Sequence, residues 1–191
     1  MRRKAAADMP WRDTPAAYGL VSRLNHWIGA AAVITLLGIG LYFEDLPRGP
    51  ELRYWMDLHV GIGALVLLPL VFRLGWRWTT PSPQPLPQRP WLQRTSRVTH
   101  ALLLGLIAVM LVSGPLALWS GGRPIDVFGW FALPSPMAEQ HELHEALEEV
   151  HGAGSTLLLW LIILHVGASL WHTLLERNRA ALARMLGPPP G

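Results

Sequence analysis

The sequence predicts an all-α fold, an up-down bundle of four transmembrane helices that forms one membrane-embedded domain over residues 1–191. Hydrophobic residues make up 51% of the 191-residue chain and charged residues 15%, whereas an ordinary soluble domain has about 25% charged residues. The charged residues leave four long uncharged runs, at 24–43, 58–72, 98–122 and 150–175. About 20 helical residues cross the hydrocarbon core of a bilayer, so the first, third and fourth runs are long enough to span it.

The second run is only 15 residues long, but its flanks extend it. Trp55 and Met56 precede it, Trp76 follows it, and the long stem of Arg73 lets that charge reach the headgroups. We expect no cleavable signal peptide, because no small-residue cleavage site follows the first run. The expected spans are approximately 21–43, 55–76, 98–119 and 150–175, with tails at 1–20 and 176–191.

The charged residues differ strongly between the two sides of these spans. Thirteen of the 16 basic residues fall on the side of the chain ends, and ten of the 13 acidic residues fall on the other side. By the positive-inside rule, this predicts a multi-pass membrane protein with both termini in the cytoplasm. Because the basic excess is an orientation signal, nucleic-acid binding is not expected. The thirteen basic residues are Arg2, Arg3, Lys4, Arg12, Arg23, Arg73, Arg77, Arg89, Arg94, Arg97, Arg177, Arg179 and Arg184.

The connections between the spans differ in composition. Residues 79–90 contain five prolines, which favour an extended spacer on the cytoplasmic side. Residues 121–136 are rich in glycine, proline and aromatic residues, which suits a segment lying on the outer membrane interface. Residues 137–150 are acidic, and we expect them to form a helix that continues into the fourth span.

The histidines are the main candidate functional residues of the chain. There is no cysteine, which excludes disulfides, thiolate metal sites and covalently attached c-type haem. Eight histidines lie in or near the spans, and an ionisable group in a membrane is a functional candidate because its burial is costly. His151 and His165 are fourteen residues apart, which places them ~21 Å apart along one helix and within about 40° of the same face. The topology puts His59 level with His151 and His26 level with His165.

Two facing histidine pairs, stacked across a bilayer, match the needs of two non-covalent haem b groups. Each iron takes two axial ligands, so His59 with His151 and His26 with His165 are the predicted metal ligands. Bis-histidine ligation leaves no open position for oxygen and therefore favours electron transfer. Small residues beside these histidines are expected to open a slot for the flat macrocycle, namely Gly29, Gly61, Gly63, Gly152, Gly154 and Gly167.

These residues resemble the bacterial cytochrome b561 family over roughly residues 20–179. The similar segments are Arg23-Leu24-Asn25-His26-Trp27, Leu58-His59-Val60-Gly61, Thr99-His100, His151, and His165-Val166-Gly167-Ala168-Ser169-Leu170-Trp171-His172. The resemblance implies a four-helix membrane cytochrome with two b-type haems that moves electrons between a donor and quinone. The family's ligand pattern maps onto the two pairs inferred above.

Several residues compete for these roles or support them. His100 lies level with His26 and is the second choice as partner of His165; otherwise we expect it, like His172, to bind a haem propionate or a quinone oxygen. His144 could replace His151 if the fourth helix sits deeper. His141 with His144 could bind a divalent metal, although a solvated helix face is the favoured interpretation. The candidates to pair with propionates are Arg23, Arg97 and Arg73 inside, and Arg53 and Arg48 outside.

The sequence thus predicts an electron conduit coupled to the quinone pool, with ubiquinone as a candidate substrate. Its expected partners are the lipid bilayer, quinone or quinol, a periplasmic electron-carrier protein, and a second copy in a homodimer. Three alternatives stay open: a cytochrome b anchor subunit of a larger dehydrogenase or hydrogenase, a superoxide:quinone oxidoreductase, and a colourless histidine-rich metal carrier. The acidic outer face would repel superoxide, which weighs against the second alternative.

Overall fold

A computed structural model describes residues 11–186 and consists almost entirely of helices. The helices α1, α2 and α3 are followed by a two-stranded antiparallel sheet and by α4, which ends in one π-helical turn and leads to a short helix α5. Arg2, Arg3 and Lys4 of the orientation argument lie outside the described residues. The elements are α1 Leu20–Glu44, α2 Pro50–Thr79, α3 Pro90–Ser120, β1 Ile125–Val127, β2 Phe131–Leu133, α4 His141–Leu170, the π turn Trp171–Leu175 and α5 Ala180–Leu186.

Within residues 11–186, four helices are long and apolar enough to cross a membrane, which confirms the predicted four-helix membrane fold. They are 25, 30, 31 and 35 residues long, and only 6% to 17% of each hydrophobic window is buried inside the protein. The apolar side chains therefore face outwards, as expected where lipid replaces water as solvent. The helix α1 packs mainly on α2 and α3 mainly on α4.

The helices extend beyond the hydrophobic spans that the charges delimit. Prolines occupy the first positions of α2 and α3, where a missing N–H costs nothing. Charged residues such as Glu51 and Arg53 then continue the first turn of α2, because they are good helix formers. The acidic segment is helical as expected, but its helix begins at His141 instead of residue 137.

Both described chain ends lie on one side of the bundle, which we call the terminal side. Gln84, in the proline-rich connection, donates its N–H to the carbonyl of Pro15 at 2.9 Å and accepts a hydrogen bond from Arg184 at 2.7 Å. Arg23 and Trp27 of α1 donate to the carbonyl of Met185 in α5. The N-terminal segment, the connection and the C-terminal helix are therefore joined on this side.

The opposite side carries a β-hairpin that the sequence did not predict, and we call it the hairpin side. Ile125 pairs with Leu133 and Val127 with Phe131. Residues 128–130 connect the strands, and Trp130 donates its N–H to the carbonyl of Val127 at 3.0 Å. The two central residues of this β-turn, Phe128 (φ 56°) and Gly129 (φ 72°), both have positive φ, as in the primed turns whose twist suits a hairpin. A positive φ is strained for a bulky residue such as Phe128.

Candidate functional site

The four predicted ligands come together as two pairs. The imidazole centroids of His59 and His151 are 6.3 Å apart and their planes are inclined by 80°. The centroids of His26 and His165 are 6.4 Å apart, with planes inclined by 65°. All four side chains are half-buried. Each pair joins α4 to a helix of the α1–α2 hairpin.

These separations fit a metal ion held between two imidazoles. An imidazole–metal bond is about 2.0 Å long and the ring centroid lies roughly 1.15 Å behind the ligating nitrogen, so rings on opposite sides of one metal have centroids about 6.3 Å apart. Both pairs match this value to about 0.1 Å. The residues present therefore fit bis-histidine haem.

His100 fits the same role less well. Its ring centroid is 5.2 Å from that of His165, which is about 1 Å shorter than a metal between the rings requires. His100 is also exposed, and its Nδ1 lies 3.4 Å from the hydroxyl of Ser96 one turn earlier in α3. The geometry favours His26 over His100 as the partner of His165, and the ligand assignment stays a prediction.

His151 has a neighbour that sequence reasoning missed. The hydroxyl of Ser113, which is 2% exposed, lies 2.9 Å from His151 Nδ1. When Nε2 of a neutral histidine binds a metal, Nδ1 carries the proton and needs an acceptor, which Ser113 supplies. The next residue, Gly114, lies so close that a Cβ there would be 3.1 Å from His151 Cε1. The signal in the sequence is the tripeptide Ser113-Gly114-Pro115 inside an otherwise apolar helix.

His59 has different surroundings. Its Nδ1 is buried and has no hydrogen-bond partner in the described part of the chain. The ring packs edge-on against Phe43 at 5.6 Å, and a Cβ on Gly40 would lie 3.6 Å from its Cε1. Gly40 and Gly114 are thus the glycines that adjoin a predicted ligand on the hairpin side.

The glycines chosen from the sequence have other neighbours. A Cβ on Gly61 would lie 2.6 Å from the ring of Phe128, so the hairpin packs against Gly61, and the expected role of Gly61 beside the macrocycle stays a prediction. Gly29 admits the side chain of Arg73. Gly63 has only Leu36 at 4.0 Å. Gly154 faces Met110, and a Cβ at Gly152 or Gly167 would meet nothing within 4 Å.

Arg73 is the arginine closest to a predicted ligand. Its Nη1 donates to the carbonyl of Asn25 at 2.9 Å, and its Nη2 lies 3.5 Å from His26 Nδ1. The other candidates are engaged elsewhere or exposed. Arg23 binds the carbonyls of Met185 and Leu186, Arg97 contacts Gln93 in its own helix, and Arg48 and Arg53 are exposed.

The remaining histidines are bonded outside the two pairs. His144 Nδ1 lies 2.8 Å from the Ala117 carbonyl and its Nε2 3.4 Å from Glu148, so it is held away from His59. His141 contacts Glu145 at 3.2 Å. Residues 11–186 contain no cluster of three or more side chains suited to a metal ion.

His172, at the cytoplasmic end predicted for α4, contacts Glu176 at 2.7 Å. This hydrogen bond is the largest cause that lowers the pKa of the Glu176 carboxyl. The residue also lies in the π-helical turn, a geometry often found at functional sites. Its expected contact with a propionate or quinone stays a prediction.

The fold and the paired imidazoles fit one class, the multi-pass membrane cytochromes with non-covalent haem. The family model described as prokaryotic cytochrome b561 matches residues 17–188. Cytochrome b561 homolog 2 of Escherichia coli (strain K12) is 31% identical over 187 residues, covering 94% of this chain and 96% of that protein. The chain belongs to the prokaryotic cytochrome b561 family, which confirms the resemblance and implies b-type haem binding and electron transfer.

Proposed function

We propose that this protein carries electrons through the bacterial inner membrane by means of two haem b groups, held by His59 with His151 and by His26 with His165. The observation that carries the proposal is the pair of matching separations, 6.3 Å and 6.4 Å, at two depths of one helix. When bound, each haem supplies an iron that takes up and releases a single electron.

The protein's own residues hold and shield these groups. The four half-buried imidazoles would hold the two irons, and two imidazoles on each iron would keep oxygen and water from it. The helix α4 supplies one ligand to each pair, so its rigid backbone fixes their spacing at ~21 Å along the axis. Ser113 holds the ring of His151 in the tautomer that presents Nε2.

The proposal also includes an orientation of the protein in the membrane and a membrane partner, quinone. The basic excess on the terminal side supports an orientation with both termini in the cytoplasm. The acidic hairpin side then faces the periplasm, where it would attract a basic or neutral electron carrier and repel an anion such as superoxide. Quinone is the proposed membrane partner.

The test is a reduced-minus-oxidised visible spectrum of the purified protein, with a haem-to-protein ratio. We expect two b-type haems per chain. His165→Ala should lose the terminal-side haem and keep the other, His59→Ala should do the reverse, and His141→Ala, outside both pairs, should keep both. One haem in the unchanged protein would remove half of the proposal, and retention of both in His165→Ala would assign the ligand role to another residue such as His100.

A further inference from the structure

Arg73 is a cation within a membrane-spanning helix, and no carboxylate compensates it in the described residues. It lies in α2 and forms no ion pair among residues 11–186. Its side chain is half-buried and its Nε is buried without a hydrogen-bond partner there. A charge in this environment is expensive and by default indicates a function.

The local packing directs this cation towards one histidine pair. Gly29 leaves room for the side chain, because a Cβ at that position would lie 2.9 Å from Arg73 Cδ. The hydrogen bond to the Asn25 carbonyl then fixes the guanidinium, and Nη2 comes to 3.5 Å from His26 Nδ1. Arg73 thus acts at short range on the terminal-side pair.

A guanidinium at this place favours reduced over oxidised iron for two reasons. Its positive charge repels the additional positive charge of the ferric state, and the partial burial of the guanidinium limits the screening of that repulsion by solvent. It also offers only donors to His26 Nδ1, so it cannot accept the Nδ1 proton and makes the imidazole a poorer electron donor to the metal.

The hairpin-side pair has the opposite arrangement. Ser113 offers a hydroxyl oxygen that accepts the Nδ1 proton of His151, which makes the ring a better donor and favours ferric iron. In the described part of the chain, no arginine makes a hydrogen bond to His59 or His151. The acidic residues on this side also favour the more positive state.

We propose that Arg73 is a positioning residue that raises the midpoint potential of the terminal-side haem above that of the hairpin-side haem, so that electrons pass from the hairpin side to the terminal side. The inference rests on the proposed function, since it needs both haems. Passage of one electron oxidises the iron that gives it and reduces the iron that receives it, and it requires no further reactant.

The test is a redox titration of the purified holoprotein, followed by visible spectroscopy, in a His59→Ala background that isolates the terminal-side haem. Arg73→Gln removes the charge and keeps a donor for the Asn25 carbonyl. We expect it to lower the midpoint potential by about 59 mV or more, a tenfold or larger change in the one-electron equilibrium. Arg73→Lys, which keeps the charge, should stay close to the unchanged protein.

The possible results of this titration distinguish a failure of the inference about Arg73 from a failure of the proposed function on which it rests. If the unchanged protein binds fewer than two haems, the proposed function fails before any potential is compared. If Arg73→Gln keeps its haem and titrates at the unchanged potential, the inference is overturned. If Arg73→Gln does not hold haem, Arg73→Met, which also removes the charge, is titrated in its place: a fall of about 59 mV or more supports the charge effect, and an unchanged potential overturns the inference.

Discussion

Ser113 and Gly114 show how neighbouring residues in one helix can orient and accommodate a ligand histidine of another helix. The Ser113 hydroxyl lies 2.9 Å from His151 Nδ1, and Gly114 leaves space for the edge of the same ring. Serine and glycine are common in membrane helices, so the sequence marks these two only as small residues before Pro115. Their role depends on how α3 is rotated about its axis, which the hydrophobicity of a span surrounded by lipid does not determine.

Replacement of Ser113 should weaken the hairpin-side haem selectively. Ser113→Ala leaves the Nδ1 proton of His151 without an acceptor, and loss of such an outer partner costs about 10-fold to 100-fold in metal affinity. Haem binding to the apoprotein in detergent, measured by visible absorbance, should show one weakened site. Ser113→Thr retains a hydroxyl and should restore affinity, whereas equal affinities in all three proteins would contradict the role assigned to Ser113.

At the scale of elements, the sequence predicts the long helices better than the hairpin. The spans follow from the number of consecutive apolar residues, a property that is read along the chain alone. The strands Ile125–Val127 and Phe131–Leu133 have three residues each, too few to show an alternating pattern. Their position depends on the contact of Phe128 with Gly61, which joins residues far apart in the sequence.

The hairpin should be sensitive to a single methyl group on α2. Gly61→Ala places a Cβ where the Phe128 ring lies, at 2.6 Å, and overpacking of this kind costs about 1–3 kcal/mol. Thermal unfolding in detergent should show a lower midpoint. The matched control is Gly63→Ala on the same helix, which meets only Leu36 at 4.0 Å and should be neutral or slightly stabilising. Equal midpoints for the two variants would exclude the packing role of Gly61.

The π-helical turn at the end of α4 should contribute stability that depends on pH. The hydrogen bond with His172 lowers the pKa of Glu176 in the folded protein below its usual value of 4.5. A lowered folded-state pKa gives stability that is present above the unfolded-state pKa and is lost as the pH falls through the folded-state value.

Glu176→Gln removes this titration. The thermal midpoint of the unchanged protein should therefore exceed that of Glu176→Gln above about pH 4.5, and the difference should disappear at more acidic pH. Thermal scans in detergent across this range provide the measurement. A difference that does not change with pH would show that the carboxylate contributes by packing and not by its charge.

At the scale of the whole molecule, the predicted depths of the histidines were informative because a membrane orders the chain along one axis. Fourteen residues of α4 fix the distance between His151 and His165, and the up-down order of the spans assigns a partner to each. The choice between His26 and His100 could not be made in this way, because both lie at one depth. The choice depends on how far each ring lies from the ring of His165 within the bundle. The centroid of His26 is 6.4 Å from it and that of His100 is 5.2 Å from it, which favours His26.

The sidedness of the molecule can be tested because the chain contains no cysteine. Gln88 lies in the proline-rich connection and Ala138 on the hairpin side, and both are exposed. Since the basic residues concentrate on the terminal side, the positive-inside rule puts Gln88 in the cytoplasm and Ala138 in the periplasm. In cells with a permeabilised outer membrane, a membrane-impermeant maleimide should label Ala138→Cys directly and Gln88→Cys only after the inner membrane is opened. Labelling of both after denaturation controls for reactivity, and the reverse pattern would invert the orientation and, with it, the side from which electrons enter.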